Sequence, residues 1–155
     1  MSIQKFELDV FADYHQFYLQ DGEVFPDAPT DWTDEDVQCR VKVADNVVVI
    51  CPFRSMTVPV ELQVHEVVPE MDVEAADHAI RCSLAIPSGI LQVHECTGGE
   101  LLRLEVPPGH YGVLVEFTGL ATISEDGLDG GDEYRITVWP DGPTPLTVLK
   151  NWNPN

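Results

Sequence analysis

The chain has 155 residues, with 8 Lys and Arg against 27 Asp and Glu, a formal net charge of −19. That length builds one domain with a real core and is too short for two ordinary ones; a hydrophobic content of 44% excludes wholesale disorder despite the charge. The negative excess, without any cluster of Lys or Arg, argues against direct binding to nucleic acid or to an anionic membrane.

In chain order, residues 1–10 carry Lys5, Glu7 and Asp9 and no apolar signal core, so the expected compartment is the cytoplasm. Phe6, Leu8 and Val10 alternate with charged residues, the mark of a half-buried strand. Trp32-Thr33-Asp34-Glu35-Asp36-Val37 predicts one short helix near residues 33–38. Thr33 is its N-cap, and Asp36 at the third helical position completes a capping box. Trp32 and Val37 occupy the two staple positions, and Asp34 and Glu35 sit where the helix dipole favours anions. The helix is expected to end where alternation resumes at Cys39, Val41 and Val43. Asp45-Asn46 then marks a hairpin turn. The longest apolar run, 47–52, is far below the roughly 20 residues that span a bilayer.

Further alternating runs cover 58–65, 80–86, 102–106, 111–117 and 134–138, with turns at Gly98-Gly99, Pro107-Pro108-Gly109 and Asp141-Gly142. Pro59 inside the 58–65 run predicts an edge strand or a bulge. A second helical turn between Pro69 and His78 has too sparse an apolar pattern to be assigned. Many short strands with little helix predict an all-β fold, a single antiparallel β-sandwich domain over 1–155. Cys39, Cys51, Cys82 and Cys96 form no C-x-x-C pair and read as buried small hydrophobes in a reducing compartment.

No motif in the chain carries enzymatic chemistry. His65-Glu66 and His94-Glu95 begin like a zinc-helix signature, but Pro69 and Gly98 stand where the second ligand belongs. The two histidines sit in a short repeat, Leu-Gln-Val-His-Glu, at 62–66 and 91–95. Carboxylates gather at 21–36, at 66–77 and at Glu125, Asp126, Asp129, Asp132 and Glu133. Three readings stay open on the residues alone: solubility, calcium on the 125–133 loop with or without the histidines, and a surface that meets a basic partner.

The segments Tyr14-His15-Gln16-Phe17-Tyr18 and Asp31-Trp32-Thr33-Asp34-Glu35 resemble, in wording and spacing, the ComJ (Nin) competence-protein family. The resemblance covers about the first quarter of the chain and lapses beyond Cys39 into a shared strand pattern, and it does not place the acidic 125–133 loop. It implies a non-enzymatic inhibitor of a DNA-entry nuclease that needs no cofactor and binds a basic nuclease through an acidic, DNA-mimicking surface. An immunity protein against a toxin nuclease is a close variant. On this reading Asp31, Asp34, Glu35 and Asp36 supply charge, and Tyr14, His15 and Trp32 supply shape or support.

Overall fold

The computed structural model describes residues 3–153. Two sheets face each other. Six strands, β1 (Ile3–Phe11), β5 (Thr57–His65), β10 (Glu133–Pro140), β9 (Gly109–Thr118), β6 (His78–Ile86) and β11 (Thr147–Lys150), form one sheet in the order β1-β5-β10-β9-β6-β11. The other has the order β3-β4-β2-β7-β8, from β2 (Phe17–Asp21), β3 (Val41–Ala44), β4 (Val47–Ile50), β7 (Ile90–Glu95) and β8 (Gly99–Glu105). The sequence alternation explains the core. Val10, Val58, Val60 and Leu62 from one sheet meet Phe17, Leu19, Val48, Ile50, Leu91 and Val93 from the other in a single cluster. Polar neighbours at the intervening positions turn outward. No helix among the described residues is long and apolar enough to cross a membrane.

The all-β sandwich expected from the alternation is the fold observed, with three corrections of detail. First, β5 and β10 pair in parallel, from Tyr134 opposite Val60 to Val138 opposite Val64, whereas every other ladder among the described residues is antiparallel. The intervening strands provide the long crossover that a parallel pair needs, so no helix is required. Second, β5 is not an edge strand and its ladder with β1 has no bulge. Pairing with β10 starts only at Val60, so at Pro59 one side of the strand has no ladder to fill. Third, α1 (Asp34–Cys39) includes Cys39, and the strand resumes only at Val41, after Arg40 closes the helix in a left-handed conformation (φ 67°). The 69–77 stretch is irregular, and short 3-10 turns occur instead at Asp13–His15 and Leu120–Thr122.

The continuous apolar run of β4 has a structural cause. Val48 and Ile50 face the main core, while Val47, Val49 and Cys51 lie under a second cluster with Tyr18, Ala28, Trp32 and Ala44. The segment leading into α1 thus covers the outer face of the five-stranded sheet at β4, which is buried on both sides. All four cysteines are free; Cys51 and Cys82 are buried and Cys39 and Cys96 half-buried. Burial pushes the Cys51 and Cys82 thiols up to about 12, so both remain protonated packing groups at neutral pH.

Candidate interaction surface

The acidic turn before and within α1 is built as its sequence suggests. Thr33 Oγ1 accepts from the Asp36 N–H (3.1 Å), and Asp36 Oδ2 accepts from the Thr33 N–H (3.0 Å). Trp32 packs over Val47, Val49 and Cys51, and its Nε1–H donates to the Pro29 carbonyl (3.1 Å). Val37, the other staple position, stays 53% exposed, so the anchor of this segment is the sheet beneath Trp32.

Lys42 on β3 organises the charges. Its Nζ donates to Asp36 Oδ2 (2.5 Å) and to the Asp31 carbonyl (2.9 Å), and lies 5.7 Å from the Trp32 ring centre. The bond from Lys42, then the Thr33 N–H, holds the Asp36 carboxyl below its ordinary value, and the same contact raises the Lys42 ammonium. Asp36 is therefore spent on the cap and on Lys42. Asp34 and Glu35 are exposed, and no ion pair reaches either among the described residues. The Asp31 side chain is 88% exposed, 3.8 Å from Lys42.

Tyr14 and His15 occupy a strained turn. Both have positive φ (57° and 56°), a region that bulky residues enter at a cost of about 1–2 kcal/mol each. Asp13 holds the turn: one carboxylate oxygen accepts from the Tyr14 N–H (3.1 Å), the other from Thr97 Oγ1 (2.9 Å) on the β7–β8 hairpin. Tyr14 is left 71% exposed. His15 Nδ1–H donates to the Pro52 carbonyl (3.1 Å). The two sequence motifs therefore approach the same stretch of chain: His15 bonds Pro52, Trp32 packs on the cluster of Val47, Val49 and Cys51, and Arg40, at the end of α1, stacks 3.8 Å over the Phe53 ring. No described contact joins Tyr14 to Asp31, Asp34 or Glu35 directly.

The 125–133 carboxylates diverge. Asp126 accepts from Ser124 Oγ (2.6 Å) and the Leu128 N–H (3.0 Å), whereas Asp132 is fully buried against Arg54. His65 and His94 lie on different sheets, the first bonded to Gln63, the second stacked on Tyr18. Among the described residues, no three His, Cys, Asp or Glu side chains come together in a group able to hold a metal ion. Two features had no sequence signal: Lys42, whose role depends on a cross-element contact, and Phe25, a 78% exposed aromatic at φ 52°.

No family model matches the sequence, and no curated protein matches it. Two solved structures do. One is ComJ, inhibitor of the DNA degrading activity of NucA, from Bacillus subtilis: TM-score 0.69 and 17% identity, covering 91% of this chain and 100% of that one. The other is the product of crocagin biosynthetic gene J: TM-score 0.61 and 22% identity, covering 92% of this chain and 100% of that one. The two-sheet sandwich built here from alternating strands is thus the fold of ComJ across nearly the whole chain.

Proposed function

We propose that this chain is a non-enzymatic protein inhibitor of a DNA-degrading nuclease, acting in the cytoplasm by competence-type control or as immunity. The observation that carries the reading is the full-length fold match to an inhibitor of a DNA-degrading enzyme. The net charge of −19 supports it, because a nuclease must present a cationic cleft to its own substrate. In this reading Asp31, Asp34 and Glu35 stand in for phosphates before that cleft. Asp36, Lys42 and Trp32 hold that array in place, and the exposed Tyr14 with His15 adds shape at the neighbouring edge.

The test is a DNA-degradation assay with a NucA-type nuclease from the same source. The chain is expected to inhibit at near-equimolar ratio without binding DNA. The double variant Asp34→Lys/Glu35→Lys is expected to weaken inhibition at least about tenfold, about 1.4 kcal/mol, with the fold kept and the thermal midpoint only modestly lowered, since the two exposed side chains make no ion pair among the described residues and lysines in the first turn of α1 oppose the helix dipole. Full inhibition by that variant would place the contact elsewhere; no inhibition by the parent chain would end the proposal.

A further inference from the structure

The outer edge of β1 is an open strand. Its ladder with β5 runs without a bulge from Ile3 opposite His65 to Phe11 opposite Thr57. Just beyond it the Ala12 N–H donates to the Met56 carbonyl, while the Phe11 N–H turns away to Glu95 Oε2 (2.7 Å). Antiparallel ladders alternate residue by residue. Gln4, Phe6, Leu8 and Val10 therefore bond to β5, and Ile3, Lys5, Glu7 and Asp9 direct their N–H and C=O groups outward, where no described strand pairs with them. Glu95 closes this row at Phe11.

The other sheet edges are blunted. β3 and β11 have four residues each, β11 shifts register against β6, and β8 shifts register against β7 at Val93/His94. β1 has nine residues and neither device. Its two faces specify what fits beside it. On the inner face Phe6 and Leu8 are only half-buried although they pack against the core. On the outer face Glu7 and Asp9 have no ion pair among the described residues, and they line a groove of about 690 Å³ with Glu61, Glu116 and Glu133. The cations there, Lys5 and Arg135, both bond to Glu61 (3.0 and 2.7 Å).

We infer that β1 receives an extended, basic segment of a partner protein as a seventh strand of its sheet. Main-chain bonds form to Lys5, Glu7 and Asp9; alternate Lys or Arg side chains reach the groove, and the apolar side chains between them complete the cover over Phe6 and Leu8. A second copy is a poor occupant, because pairing β1 with itself sets the Glu7 and Asp9 side chains of two chains, each at −19, along one edge. The surface lies on the sheet opposite α1, so the inference does not rest on the nuclease reading.

The probe is a capped peptide of alternating Lys and Val, as long as β1, titrated into the full-length chain and followed by residue-resolved amide exchange. Slowed exchange at Lys5, Glu7 and Asp9, with Phe6 and Leu8 unchanged, is the expected result. Glu7→Pro removes one outward N–H without touching the β5 ladder and is expected to weaken binding about tenfold. Glu7→Gln/Asp9→Asn keeps every backbone donor and is expected to weaken binding and flatten its salt dependence. A peptide that fails to bind, or binds without protecting those three amides, overturns the inference. So does equal binding of a Glu/Val peptide, or protection of the same amides by self-association of the free chain.

Discussion

Arg54 and Asp132 lie 78 residues apart and form the most deeply buried ion pair, with side chains 8% and 0% exposed. Arg54 Nε–H donates to Asp132 Oδ1 (2.6 Å), and the Tyr134 hydroxyl donates to the other oxygen (2.5 Å) while accepting from the Phe53 N–H (2.9 Å). Burial, then the Asp132 bond, pushes the Tyr134 hydroxyl well above its ordinary acidity, so it stays a donor. This network ties the loop before β10 to the 51–54 segment, to which His15 bonds through the Pro52 carbonyl. Replacing Arg54→Met leaves a buried carboxylate without its cation, and stability is expected to fall by about 3–5 kcal/mol in urea unfolding. Arg54→Met/Asp132→Asn is expected to recover part of that loss. A single variant within about 0.5 kcal/mol of the parent would show the pair to be dispensable.

At the scale of elements, His78 joins β6 to α1 and to the segment that follows β11. It sits at the start of β6, its Nε2–H donates to the Cys39 carbonyl at the end of α1 (2.7 Å), and its Nδ1 accepts the Trp152 N–H (3.1 Å). Both ring nitrogens are used by the neutral tautomer. Burial first, then the nearby Arg40 charge, lowers its proton affinity, against the pull of the Cys39 carbonyl. The unfolded chain therefore takes up this proton first, and stability contributed by neutral His78 is lost as pH falls through about 6.5 toward the lower folded value. His78→Gln is expected to flatten that part of a stability–pH profile; an unchanged slope would contradict the assignment. Local signals made much of this architecture legible. Thr33 and Asp36 are three residues apart, so the capping box is written in sequence, and alternation marks strands one at a time. What escaped was non-local or conformational. The parallel β5–β10 pair depends on strand order, and the left-handed Tyr14–His15 turn on a restraint from Thr97. The capping role of Asp36 is legible, but its pairing with Lys42 appears only when β3 folds back onto the helix.

Over the whole molecule, all 8 cationic side chains are engaged internally. Lys5, Lys42, Arg54, Arg81, Arg103 and Arg135 pair with carboxylates, Arg40 stacks on Phe53, and Lys150 bonds the Glu74 carbonyl. Most of the surplus carboxylates are displayed to solvent; Asp21, fully buried, is held instead by the Glu23, Val24 and Ser88 N–H groups and the Ser88 hydroxyl. A fold shared with a biosynthetic gene product as well as with ComJ does not choose a function by itself; in the proposed function the net charge of −19 is the second support, because it favours a basic partner. The direct test of the proposed function is the dissociation constant of the chain with a NucA-type nuclease, measured by calorimetry at low and high salt. Exposed charges more than about 10 Å apart are largely screened at 0.1 M ionic strength, so raising salt from about 0.05 to about 0.5 M is expected to weaken the complex at least about tenfold. A dissociation constant that does not move with salt would contradict a carboxylate surface that binds in place of DNA.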